Sequence, residues 1–214
     1  MQRGLIILLS VFSLSACTMS ETRIYSLYMP NPTSPPLSKG GNFVSPPLGK
    51  GDIGRFSDAS IAIHVSSPRY LAQPYIAYRN SPYQLSISRY SRWDSSPSDM
   101  VKEAFKDSLS SMGLFKAVRV SSIIPRGFYS LQIGLRRFER FDVGNDSFGE
   151  LVFDVDLLSP DGKEMYRSTV SKKIKLDDRG FLSLAKGLSI ALKEGIGEAG
   201  IGIGRVISKE QPFR

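Results

Sequence analysis

The chain has 214 residues, 28 Lys+Arg against 20 Asp+Glu, a net charge of +8, one histidine and one cysteine. A lone cysteine excludes an intrachain disulfide, and one His with one Cys excludes a histidine- or cysteine-rich metal centre. The apolar fraction of 41% is that of a globular protein, so the core must hold by packing alone.

Arg3 precedes the apolar run Leu5 to Phe12, and Leu14-Ser15-Ala16-Cys17 follows. A charged start, a short apolar stretch and small residues before a cut site form a secretory signal peptide, here residues 1–16. The run falls far short of the ~20 apolar residues that span a bilayer. Leu-Ser-Ala-Cys has the bacterial lipobox pattern, in which the Cys thiol is acylated before cleavage. Cys17 is therefore the expected lipid-attachment residue. The protein is expected on the periplasmic side of the cell envelope, held by its anchor and not spanning the membrane. Thr18, where enteric sorting would read an Asp as inner-membrane retention, turns the expectation toward the outer membrane. Nucleic acid is not an expected partner in that compartment. The basic balance suits anionic headgroups or an acidic partner, although the charges are scattered and not blocked.

An alternating stretch from Arg23 to Met29 predicts a short strand within an anchored segment, residues 17–29. Residues 30–58 are rich in Pro, Gly, Ser and Lys, and repeat themselves: Ser34-Pro35-Pro36-Leu37-Ser38-Lys39-Gly40 returns as Ser45-Pro46-Pro47-Leu48-Gly49-Lys50-Gly51. Two polar copies do not make a solenoid, and the stretch reads as a linker or insertion. A folded domain is expected over 59–208, with a tail at 209–214.

In that domain Ser60–Val65, Tyr75–Arg79 and Tyr83–Ile87 alternate as strands, the last two parted by Asn80-Ser81-Pro82. Ser96 as cap, Pro97 at the first helical position and Asp99 in the first turn predict a helix start. Val101, Phe105, Leu109 and Met112 give that helix one apolar face, and Gly113 ends it. Strands are predicted at Phe115–Val120, Tyr129–Phe141, Glu150–Leu158 and Met165–Leu176, the last two joined by the turn Ser159-Pro160-Asp161-Gly162. A final helix starts near Gly180 with Phe181, Leu184, Leu188, Ala191/Leu192 and Ile196 on one face. Its glycines 195, 197, 200, 202 and 204 each lower helix stability by about 1 kcal/mol relative to Ala, so a frayed or partner-ordered C-terminus is expected. The fold class is α+β: a largely antiparallel or mixed sheet with two main helices packed on one face.

Catalytic chemistry is sparse. His64 is mid-strand and has no triad to join. Asp154 and Asp156 share one strand face, where two carboxylates could work as acid and base or hold a cation, or simply meet solvent. Gly195-Ile196-Gly197-Glu198-Ala199-Gly200 matches G-x-G-x-x-G, but follows a helix instead of a strand, so no dinucleotide site is expected. The expectation is no enzyme, no catalytic residue, no metal and no cofactor.

Between the first strands runs Ser67-Pro68-Arg69-Tyr70-Leu71-Ala72-Gln73-Pro74-Tyr75-Ile76-Ala77-Tyr78-Arg79, followed by Ser91-Arg92-Trp93-Asp94. With Cys17, Tyr25-Ser26-Leu27, Val65 and Leu135-Arg136-Arg137-Phe138-Glu139, this ordered set resembles the ABC-type transport auxiliary lipoproteins that accompany MCE-type transporters. The family often carries Asp-Arg where this chain has Ala72-Gln73. The resemblance implies a non-enzymatic accessory lipoprotein that docks to an MCE-domain protein of a lipid-transporting ABC system. Tyr70, Tyr75, Arg79 and Trp93 are the expected partner contacts, since aromatics and Arg dominate interfaces; core packing competes for Tyr70 and Trp93. A homo-oligomer is a further expectation. A lipoprotein carrying a lipid or other apolar ligand in its own cleft is the alternative.

Overall fold

The computed structural model describes residues 21–29 and 59–210; the signal segment, Cys17, the 30–58 stretch and the last four residues lie outside them. The described residues form β1 (Arg23–Tyr25), β2 (Ser60–Ser66), β3 (Tyr75–Ser81), β4 (Gln84–Trp93), α1 (Pro97–Met112), β5 (Ala117–Val120), β6 (Tyr129–Val143), β7 (Asp146–Leu158), β8 (Glu164–Lys175) and α2 (Phe181–Glu210). The α+β class holds.

The sheet is built around β6. Along one edge β6 pairs antiparallel with β7, which pairs antiparallel with β8. Along the other edge it serves two parallel neighbours in succession. Tyr129 to Gly134 pair with β2, and Glu139 to Phe141 pair with β3. The sheet therefore forks into two wings, β2–β5 and β3–β4–β1. Among the described residues the β1–β4, β2–β5, β2–β6 and β3–β6 ladders are parallel, so the hairpins β3–β4, β6–β7 and β7–β8 carry the antiparallel character that the sequence predicts.

A β-bulge between Leu135 and Arg137 shifts the alternation of β6 by one residue. Before it Leu131, Ile133 and Leu135 are buried; after it Phe138 is. These residues and Leu151, Phe153, Val155 and Leu157 of β7 form the helix-facing core.

Helix α1 begins and ends as its sequence dictates. Ser96 Oγ accepts from the Asp99 amide at 3.1 Å, and Gly113 closes the helix in the left-handed conformation at φ 66°, which favours glycine. Lys102 and then Ser96 hold the Asp99 carboxyl below the usual carboxylate range. Val101, Phe105 and Leu109 are buried, and Phe105 meets Phe153 edge-to-face at 5.4 Å. Strand bounds differ from the sequence reading by one or two residues at β2, β3, β6 and β8, while β7 starts four residues earlier, at Asp146, and three others shift clearly. β1 stops at Tyr25, β4 runs on to Trp93 and β5 starts at Ala117. The polar run Ser86-Ile87-Ser88-Arg89-Tyr90-Ser91-Arg92 hides its strand character because few of its residues are apolar, yet it is sandwiched between β3 and β1.

The second helix corrects the expectation of a frayed end: α2 continues through its glycines to Glu210. Gly187, Gly195 and Gly202 lie against β8, beneath Ile174, Val170 and Tyr166 in turn. Seven or eight helical residues advance about 11–12 Å, and four strand residues about 13 Å. The helix and the strand thus keep step, glycine opposite side chain, over three contacts. Six buried aliphatics, Leu184, Leu188, Leu192, Ile196, Ile203 and Ile207, at roughly 2 kcal/mol each, outweigh six glycines at about 1 kcal/mol each.

The glycines of α2 differ in a testable way. A Cβ on Gly195 would lie 3.0 Å from both Phe153 Cε1 and Val170 Cγ1, whereas one on Gly197 meets nothing within 4 Å. Gly197→Ala should raise unfolding free energy by about 1 kcal/mol. Gly195→Ala should lower it by about 1 kcal/mol, because overpacking exceeds the propensity gain. Urea denaturation of the two variants separates these outcomes.

Candidate functional site

The fork in the sheet creates the site. β2 leaves β6 at Gly134 and β3 joins it at Glu139, so Leu135 to Phe138 have no strand partner on that edge. The connecting chain steps across this gap through a 3-10 turn at Arg69–Ala72. Pro68 and Pro74 bracket the turn, Leu71 anchors it by full burial, and the Leu71 amide donates to the Pro68 carbonyl at 2.9 Å.

The turn sets Tyr70 over the gap. Its hydroxyl lies 3.4 Å from the Arg136 carbonyl oxygen and 3.3 Å from Glu139 Oε2. Arg79 Nε, from β3, donates to Glu139 Oε1 at 2.7 Å. The Glu139 side chain is 0% exposed. A buried carboxylate is tolerable only when its oxygens are engaged, and here each oxygen has a partner. Burial, and then the Glu139 charge, push the Tyr70 hydroxyl up to about 12. Tyr70 therefore remains a neutral donor.

Above this cluster Arg69, Tyr70, Gln73 and Tyr75 line an open groove of about 560 Å³. A guanidinium, an amide and two phenol rings offer hydrogen bonds and flat apolar area, the chemistry of recognition. Tyr70 and Tyr75 thus come together as wall residues, and Arg79 braces the floor. Trp93 does not join them. It is 2% exposed and packs edge-to-face on Phe138 at 5.5 Å. Alternation along β4 turns Trp93 toward the helices and Arg92 outward, so Trp93 is a core residue and its expected contact with a partner is corrected. The residue that sequence reasoning passed over is Glu139. Its signal was an acid set in a strand among Arg136, Arg137 and Arg140.

The other candidates resolve into structure. His64 is exposed on β2 across from Gln132. Asp154 and Asp156 share the sheet face away from the helices. Asp154 pairs with Arg136 Nη2 at 2.5 Å and accepts from Thr169 Oγ1 at 2.7 Å, and Asp156 pairs with Arg167 Nε at 2.5 Å. Cross-strand pairs such as these are ordinary sheet stabilisation. Among the described residues no group of three or more His, Cys, Asp or Glu is placed to hold a metal. The G-x-G-x-x-G run lies inside α2, where helical backbone cannot cradle a phosphate as a strand-to-helix turn does.

Known proteins place this arrangement. A family model described as ABC-type transport auxiliary lipoprotein component matches residues 57–196. The crystal structure of protein XCC0632 from Xanthomonas campestris, described as DUF330, is similar at TM-score 0.66 and 20% identity, covering 87% of this chain and 97% of that one. A second crystal structure, of an uncharacterized protein, is similar at TM-score 0.58 and 17% identity, covering 88% and 99%. Both show the same fold. No curated protein matches the chain.

The Tyr70 shift has a definite sign. The folded state favours the protonated phenol, so its contribution is fully present below about pH 10 and is lost as pH rises from about 10 through about 12. Tyr70→Phe should remove that alkaline loss and one late-titrating tyrosine from the absorbance at 295 nm. Glu139→Ala strips Arg79 and Tyr70 of their shared acceptor and should destabilise by about 3 kcal/mol. Glu139→Gln, which keeps an acceptor, should cost less by thermal denaturation.

Proposed function

The chain belongs to the family of ABC-type transport auxiliary lipoprotein components, and from this premise we propose that it docks, through the groove at Arg69–Tyr75, to the MCE-domain protein of a lipid-transporting ABC system. As a lipoprotein of that family it belongs to the periplasmic side of the envelope. In our reading Cys17 carries the acyl anchor, in the outer membrane, residues 30–58 are a linker, and 59–208 are the auxiliary domain. Its role is non-enzymatic.

The observation that carries this reading is the groove itself: four recognition side chains held over a fully buried, fully paired carboxylate. The braced floor holds Tyr70 in one geometry, so little of its side-chain freedom is lost on binding. Carriage of a lipid inside the domain would need an apolar cavity between sheet and helices. Phe105, Phe138, Phe153 and Leu188 are fully or almost fully buried at that interface, and the groove walls carry Arg69 and Gln73. Docking is therefore favoured over carriage.

The test is recovery of partners from membranes after mild crosslinking. An MCE-domain protein should co-purify with the acylated chain. Arg69→Glu combined with Gln73→Glu, both at exposed positions, should lower that recovery at least tenfold with unchanged melting temperature. Asp154→Asn with Asp156→Asn should not. Undiminished recovery from the groove variant overturns the proposed surface. Stoichiometric phospholipid with no MCE-domain partner overturns docking altogether.

A further inference from the structure

The wing β3–β4–β1 has an outer face that meets the docking groove at Tyr75 and continues past it across β4 and β1. Among the described residues β1 is an edge strand whose one ladder is with β4. Ile24 pairs with Arg92, and Arg92 pairs with Tyr75. The next pair along β1 and β4, Tyr25 and Trp93, turns to the helix side, where Tyr25 meets Phe181. By alternation Ile24, Arg92 and Tyr75 form a row on the opposite side. Around it Ile24 is 69% exposed, Tyr90 55%, and Tyr83, at the tip of the β3–β4 hairpin, 95%. Ile87 pairs with Ala77, two residues along β3 from Tyr75, so across the register shift of β4 Ile87 and Arg89 share this side, and both are exposed; Arg23 is exposed on the side of Tyr25.

Charge reinforces the pattern. From Ala59 to Trp93 the sequence contains Arg69, Arg79, Arg89 and Arg92 and no Asp or Glu. Arg79 is neutralised by Glu139. Among the described residues Arg23, Arg89 and Arg92 have no ion pair, and Glu21 is the acid on the adjoining segment. The sheet face of β6–β8 is different: Arg136, Arg137, Arg167, Lys173 and Lys175 each meet a carboxylate.

Tether length fixes where this face sits. Six residues lie between Cys17 and Ile24, and the seven steps, at 3.3–3.6 Å each, reach at most about 25 Å whatever the conformation. We infer that the open face of this wing, built on Ile24, Ile87, Tyr90, Arg89 and Arg92 with Tyr83 at its tip, seats on the anionic phospholipid surface that holds the anchor. Arginines bind headgroup phosphates, and exposed aromatics settle at the headgroup level. The inference rests on acylation at Cys17. The groove opens two strands inward from β1, about 10 Å away, so a docked partner would be met beside the bilayer.

The experiment uses the acylated full chain reconstituted into vesicles of phosphatidylcholine with phosphatidylglycerol. A fluorophore is attached at Tyr83→Cys or Ile87→Cys, with Ile201→Cys on α2 as the distant control, and quenched by headgroup-labelled lipid. Quenching at 83 and 87 with none at 201 is expected. It should fall to the control level in Arg89→Glu/Arg92→Glu, in pure phosphatidylcholine, and in 1 M salt. Vesicles that float with bound protein but quench all three sites equally, or none, overturn the seating alone. Protein that fails to float overturns the Cys17 anchor, and the seating with it.

Discussion

One strand, β6, serves two partners along a single edge, and the step between them must be closed. Parallel neighbours β2 and β3 are too short to meet, so the backbone of Leu135 to Phe138 would face solvent or an unsatisfied interior. The chain closes the step with three side chains. Tyr70 reaches the Arg136 carbonyl, Glu139 accepts from below, and Arg79 locks the carboxylate from β3. Removal of any one of them leaves the others buried and poorly paired, the expensive case for polar groups in a protein interior. The groove is the outer surface of this repair, so its geometry follows from the topology of the sheet.

The bulge at Leu135/Arg137 belongs to the same solution. Without that extra residue the alternation of β6 would continue unbroken, and Glu139 would face the helices while Phe138 faced solvent. The shift puts Phe138 under Trp93 and Glu139 under Tyr70. It also sends Arg140 to the helix side, where its guanidinium stacks between Tyr78 and Phe181 at 5.0 and 5.3 Å and binds Asp142 at 3.0 Å. A buried cation there is compensated by two aromatic faces and one carboxylate. One inserted residue thus places a phenylalanine, a glutamate and an arginine on their proper sides.

Much of this is legible in the residues themselves. Ser96-Pro97 and Gly113 announce the bounds of α1, and Ser159-Pro160-Asp161-Gly162 announces the β7–β8 hairpin, because caps and turns depend on local chemistry. Two features are not legible. Glycines in α2 read as helix breakers because propensity is a local quantity, whereas their fit against Ile174, Val170 and Tyr166 is a tertiary one. Trp93 reads as an interface anchor or a core residue, because large aromatics serve both. Only its packing on Phe138, itself placed by the bulge of β6, makes clear which face of β4 is the inner one. The candidate site is half legible. Tyr70, Tyr75 and Arg79 stand out as residue types, but Glu139 gains its meaning from the fork, and a fork cannot be read from strand patterns taken one at a time.

The two wings divide the labour of the sheet. The β2–β5 wing and the β6–β8 hairpins carry α1 and α2, and on the outer face of β6–β8 basic side chains are matched by carboxylates at 2.5 to 3.2 Å. Such a face is internally neutral and presents little net field to a partner. The strands of the β3–β4–β1 wing carry no carboxylate of their own; the wing borrows Glu139 from β6 to neutralise Arg79, and among the described residues Arg23, Arg89 and Arg92 have no ion pair. Charge left unmatched within the fold is available outside it. In a family of transport auxiliary lipoproteins, the proposed membrane seat and the proposed docking groove are neighbouring parts of one sheet.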